Sequence, residues 1–175
     1  NAMAFCEWLT LREKEGRRLP QGYAYRLPTE AEWEYMASCG GTWEVDREQI
    51  DEVVWYIVNT KMNQEGRRKR ANAWGLHDVL GNVWEFCHDY YGRYRGEEEF
   101  DPIGPSRGVL RVIRGGSHSN QDDLCRTAYR SSMGWTDARP NVGFRVVLAP
   151  TIEELKKSVS PEALVKRNED GEPIP

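Results

Sequence analysis

Between Gly75 and Phe86 the sequence reads GLHDVLGNVWEF. Within twelve residues it sets two glycines, two carboxylates and an asparagine beside two large aromatic rings. Glycine at this density interrupts a helix, because its backbone freedom is lost on ordering and no side chain repays the loss. The stretch therefore reads as a tight turn that feeds a strand, or as a turn folded around something positively charged. Either way it confines the surrounding chain to short segments. The rest of the composition agrees: seven Trp and eight Tyr stand beside only four Phe, with sixteen Gly. Such a mix packs short irregular segments with flat rings and does not suit a leucine-rich bundle.

At 175 residues the chain can bury one real core. A formal net charge of -4 provides no broad basic field, so nucleic acid is not an expected partner. No apolar run approaches the roughly 18 residues of a membrane helix, and no membrane partner is expected. No signal peptide is visible at the start. Compartment is left open. Asn1-Ala2 precedes Met3, and the pattern opens inside a helix. Four cysteines, Cys6, Cys39, Cys87 and Cys125, lack C-x-x-C spacing, which argues against a zinc site. They stand either as free half-buried thiols or with at most one disulfide, to which Cys125 would belong.

AFCEWLTL (4–11) has helical spacing. RLPTEAEWEY opens with Thr29 as N-cap and Glu32 three residues on, a capping box, and the helix it starts is expected to end at Gly40-Gly41. VVWYIV (53–58) is a short strand or a buried loop. GRRKR (66–70) reads as a solvated loop. VLRVIRGGS (109–117) is the best strand, CRTAYRSS is another candidate, and NVGFRVVLA (141–149) is the last. Residues 3–149 form one domain. Residues 150–175 carry a short surface helix and, past Ser160, a frayed tail.

Taken in order, RLPTEAEWEY, NAWGLHDVLGNVWEF, RVIRGG followed by Ser117, CRTAYR and NVGFRVV resemble the formylglycine-generating enzyme, or sulfatase-modifying factor, family. The resemblance runs from about Phe5 to Leu148. It implies an α+β, C-type lectin-like fold, with a small twisted antiparallel sheet, two main helices and much irregular loop. It also implies a segment ahead of the first helix that this sequence does not show. A partner chain completing the domain, or a homo-oligomer, is the corresponding expectation.

The family's turn matching Asp78 to Glu85 binds calcium. By position the ligands here are the Asp78 side chain, the Gly81 and Val83 carbonyls and the Glu85 side chain, with Asn82 adding an amide oxygen or fixing the turn. Calcium takes about six to eight oxygens, and a glycine turn with two carboxylates can supply them. The competing reading is a turn closed by Asx-type hydrogen bonds, with Glu85 paired to an arginine.

The family's activity is oxidation of a sulfatase cysteine to formylglycine, using oxygen and a copper(I) ion held by two thiolates. Soft sulfur selects copper(I). The first of the two positions is Asn120 here, a carboxamide. The second falls on Cys125 when aligned without gaps, yet CRTAYR also matches a structural Cys-Arg-Ser-Ala segment. Ser117 and Trp84 match further pocket positions, and Arg114 and Arg130 flank the segment, with Asp122, Asp123 or Glu85 as partners. The expectation is a calcium-stabilised module that binds a peptide, protein or glycan. The alternative is an active oxidase.

Overall fold

The structure, a computed structural model, describes residues 1–158 apart from 95, 97 and 98. The frayed tail expected past Ser160 lies outside the described residues. Helix α1 spans Ala2–Glu15, longer than its apolar core suggests. It is stitched to strand β1, Tyr23–Arg26, through one side chain. The Thr10 hydroxyl donates to the Tyr25 carbonyl at 3.0 Å and accepts from the Tyr25 N–H at 2.9 Å.

Helix α2, Glu30–Ala37, begins as the capping box predicts. The Glu32 N–H donates to Thr29 Oγ1, the Thr29 N–H donates to Glu32 Oε2, and Arg26 clamps the Glu32 carboxylate from outside. The helix stops at Ala37, before the glycine pair. Ser38 caps it, and its hydroxyl donates to the Glu34 carbonyl at 2.7 Å. Cys39 and the two glycines then pass through positive φ. Short helix α3 (Ile50–Val53) leads into residues 54–58, a loop and no strand, buried at Val54 and Tyr56 and exposed at Val58. Its only described ladder contact is a bridge from Trp55 to Gly81.

Strands β2 (Trp84–Tyr90), β3 (Leu110–Arg114), β4 (Arg130–Gly134) and β5 (Val142–Phe144) form one sheet in the order β4-β3-β2-β5. Neighbours are antiparallel except β2 and β5, which run parallel, so the sheet is mixed. The segment 141–149, read as one strand, is two. After β5 the chain breaks at Arg145 and resumes as β6 (Val147–Pro150), which pairs antiparallel with β1 in a separate two-stranded sheet. Arg145 turns inward at the break, so the last segment ties both sheets together. Helix α4, Ile152–Ser158, follows.

The main core packs Trp33, Ala37, Val54, Val79, Leu80, Cys87, Val112 and Cys125 between α2, the loops and the sheet. A smaller cluster of Trp84, Ile113 and Met133 is backed by Phe86, Tyr129 and Val142. Among the described residues, no helix is long and apolar enough to cross a membrane. The α+β class holds, with few helices and much irregular loop.

Candidate functional site

Three residues of the 78–85 turn adopt positive φ: Asp78 at 55°, Gly81 at 73° and Asn82 at 58°. Gly81 has a second reason to be glycine, since a Cβ there would lie 2.2 Å from the Trp55 carbonyl oxygen. Asn82 fixes the turn. Its amide oxygen accepts from the Gln64 N–H at 2.8 Å, and its amide nitrogen donates to the Gln64 carbonyl at 3.2 Å. Glu85 is paired with an arginine. Arg145 Nη2 and Nε reach Oε1 and Oε2 at 2.7 and 3.0 Å, while the Trp33 indole N–H donates to Oε2 at 2.7 Å. Arg145 Nη2 also donates to the His77 carbonyl at 3.0 Å.

The residues here meet the oxygen-ligand requirement of calcium in part. Asp78 Oδ2 accepts from the Arg67 N–H at 2.7 Å, but Oδ1 is buried without a hydrogen-bond partner. A buried, orphaned carboxylate oxygen is what a hard cation would satisfy. Of the roughly four lone pairs on Glu85, three are engaged, which leaves one on Oε1. The Gly81 and Val83 carbonyls lie in the same turn. Among the described residues, no three His, Cys, Asp or Glu side chains gather as a metal centre, so any ion here depends on carbonyl oxygen.

The basic run beside this turn is not simply solvated. Lys69 donates to the Asp51 and Val54 carbonyls and lies 4.1 Å from the Trp55 ring centroid. Burial holds its ammonium below the usual lysine range.

Beyond β3 the chain passes through Gly115-Gly116 into the second group. Ser117 is fully buried, and its hydroxyl donates to Asn120 Oδ1 at 2.5 Å. It also lies 3.0 Å from Ser119 Oγ and accepts from Asn141 Nδ2 at 3.3 Å. Cys125 Sγ contacts the Ser117 carbonyl at 3.9 Å. Gly116 makes this approach feasible, because a Cβ at that position would sit 2.6 Å from the sulfur. Asn120 and Cys125, the two positions that the ungapped reading would give to a thiolate pair, both contact Ser117, one at its hydroxyl and one at its carbonyl. One is an amide. The remaining thiol is buried and pushed up to about 12 by that burial. A copper(I) site built from two thiolates does not fit these residues.

Of the two readings of the cysteines, the disulfide through Cys125 does not form and the free thiols hold, all four unpaired and buried. Trp84 is 6% exposed; its ring packs 6.0 Å from that of Tyr129. It belongs to the core more than to a platform. With Asn120, Tyr129, Ser131, Met133 and Asn141 it lines a cleft of about 410 Å³. Asn141 and Tyr129 escaped the sequence reading. The position of Asn141, directly before VGFR, was its only signal. Arg114 and Arg130 do not pair with Asp122, Asp123 or Glu85. Both hold Glu30, each at 2.6 Å, and Asp122 pairs with Arg47. His118 donates its backbone N–H to the Asn82 carbonyl, which links this loop to the 78–85 turn.

Comparison with known proteins places this arrangement. A family profile described as sulfatase-modifying factor enzyme 1-like domain matches residues 1–150. The formylglycine-generating enzyme of Streptomyces coelicolor is 37% identical over 151 residues, covering 69% of this chain and 45% of that protein. The serine/threonine-protein kinase pkn1 of Chlamydia caviae is 38% identical over 127 residues, 69% of this chain and 20% of its own length. The chain therefore spans less than half of either relative. Among solved structures, Treponema denticola variable protein 1 superposes with a TM-score of 0.68 at 34% identity, covering 73% of this chain and 48% of that one. PvdO from Pseudomonas aeruginosa gives 0.70 at 23% identity, over 84% and 58%, and supports the fold alone. With the motifs, the mixed sheet and the Ser117 loop in agreement, the chain belongs to the sulfatase-modifying factor (formylglycine-generating enzyme) family.

Proposed function

We propose that this domain binds a peptide, protein or glycan in the Trp84–Asn120–Asn141 cleft without oxidising it. One observation carries the reading: the Asn120 carboxamide is hydrogen-bonded to Ser117 where a copper oxidase needs a thiolate. A neutral amide oxygen is a hard donor with little affinity for copper(I). The lone Cys125 thiol is buried and held protonated, the opposite of a metal-ready sulfur. The polar lining of Asn120, Ser131, Ser132 and Asn141, with Asp137 and Arg139 on the same wall, offers both donors and acceptors, which suits recognition of a polar group.

The test is copper(I) titration of the reduced protein, with oxygen uptake measured in the presence of a Cys-x-Pro-x-Arg peptide. No tight two-sulfur binding and no oxygen consumption are expected. Tight binding with turnover would establish the oxidase instead. Its case rests on the nearness of Cys125 to Ser117.

We also infer that the 78–85 turn holds calcium, with Asp78 Oδ1, the Gly81 and Val83 carbonyls and the free Oε1 lone pair of Glu85 as ligands. The ion would stiffen the turn and leave the cleft chemistry to the protein's own groups. A ligand present at a hundred times its Kd adds about 2.7 kcal/mol, worth a rise in Tm of several degrees for a domain of this size. Millimolar calcium against EDTA should show that rise in the parent protein but not in Asp78→Asn. Identical melting in both conditions would refute the site.

A further inference from the structure

A second cleft, of about 890 Å³, lies between α2 and the described residues of 89–94 and 99–105, and among the described residues it shares no lining with the first. We propose that it docks an arginine side chain of a partner peptide.

The cleft already shows how it would do so. At its floor Arg130 is gripped by Glu30, with Nε on Oε1 and Nη2 on Oε2, each at 2.6 Å. The same guanidinium lies 3.8 Å from the Tyr94 ring centroid and 5.0 Å from that of Tyr91. A carboxylate fork on the edge and a phenol ring on the face recognise a guanidinium as both a planar donor set and a weakly hydrated cation. Glu30 is taken by Arg114 and Arg130.

The outer wall also carries rings and carboxylates within reach of solvent, the Tyr35 ring being held edge-on by Trp74 at 5.2 Å. Tyr35 and Phe100 are about three-fifths exposed, at 61% and 59%. Glu34 gives one oxygen to Arg114 while its side chain stays 44% exposed. Asp101 lies on the same rim and is exposed. Large rings exposed beside carboxylates in a concave surface are uncommon on a face that meets only water. With Asp89 set aside as largely protonated and Arg114 counted behind Glu30 and Glu34, carboxylates among the described residues of the cleft still outnumber basic side chains four to three, so the field inside favours a cation. A glycan would use the rings but gain nothing from the excess acid, and an acidic peptide would be repelled. Rings and charge together select arginine.

The experiment titrates the full chain with a blocked di-arginine peptide, following backbone NMR shifts at low and at physiological salt. Blocked di-glutamate and a chitin-type oligosaccharide serve as competing probes. Di-arginine should saturate shifts in the 34–35 and 100–105 segments, weaken as salt rises, and outcompete both other probes. Tyr35→Ala and Phe100→Ala should each weaken it about two- to fivefold, the scale of an exposed cation–π contact. Asp101→Asn should weaken it as well. These side chains are exposed, so the variants keep the fold, which the spectra themselves verify. The proposal is overturned if di-arginine gives no saturable shifts, if either competing probe binds as well, or if the ring variants bind like the parent.

Discussion

Replacing Arg114 with methionine is expected to destabilise the fold by about 3–5 kcal/mol, the cost of breaking a buried ion pair from one side. Arg114 is fully buried in β3. Its guanidinium pairs with Glu30 and Glu34, donates to the Thr127 carbonyl at 2.6 Å, and lies 5.3 Å from the Trp33 ring centroid. Methionine fills the stem volume but leaves Glu30, itself 5% exposed, with Arg130 and a long bond from the Tyr94 hydroxyl as its remaining partners. The Thr127 carbonyl also loses its donor. Denaturant midpoints measure the loss. A double-mutant cycle with Glu30→Gln separates the stranded charge from lost packing. If the charge dominates, the double variant should recover a substantial part of the deficit. A loss below about 1 kcal/mol in Arg114→Met would show that the pair contributes little beyond its packing. Arg114 Nε is buried with no hydrogen-bond partner, so the group already carries one unpaid desolvation term.

The features legible in the sequence are those whose cause lies within a few residues. Thr29 and Glu32 are three apart, and their capping box appears as read. The β-branched run before Gly115 gives β3, and the glycine turn before Trp84 feeds β2. What escaped depends on partners far along the chain. Strand β1 hides in a charged, proline-bearing stretch because its pairing strand β6 lies more than a hundred residues away. Nothing local in VGFRVVLA announces a break, since the break exists to send Arg145 to Glu85, 60 positions earlier. Lys69 reads as one more basic loop residue until α3 offers it carbonyls and Trp55 offers a ring. At the site, Ser117 and Asn120 were visible through motif spacing. Asn141, which closes the same network, was not, because hydrogen-bond networks are assembled by the fold and not by the segment.

Two adjacent residues of β2 should give the protein a deceptively flat pH profile. Burial, reinforced by the charges of Arg111 and Arg26, depresses His88 from 6.5 to about 4. Burial raises Asp89 from 3.8 to about 7, although the Glu30 N–H at 2.8 Å pulls it partly back. The signs are opposite. Between pH 4 and 6.5 the unfolded histidine binds a proton that the native one refuses, so its contribution to stability grows as pH rises. From about pH 4 to 7 the native aspartic acid keeps a proton that the unfolded one has lost, so its contribution shrinks as pH rises. At about 1.4 kcal/mol per unit, Asp89 accounts for a swing on the order of 4 kcal/mol. The partly solvated His88 ring accounts for about 2–3 kcal/mol. In the parent protein the two nearly cancel from pH 4 to 6.5. Urea midpoints should therefore fall with rising pH in His88→Gln and climb with it in Asp89→Asn. Relative to the parent, Asp89→Asn should gain most above pH 7, where the parent must hold a buried carboxylate against its preference for water. Parallel curves for all three proteins would mean that neither group is as desolvated as its burial implies. Crossing curves would show that β2 carries two opposed titrations side by side, each masking the other in any measurement made on the parent alone.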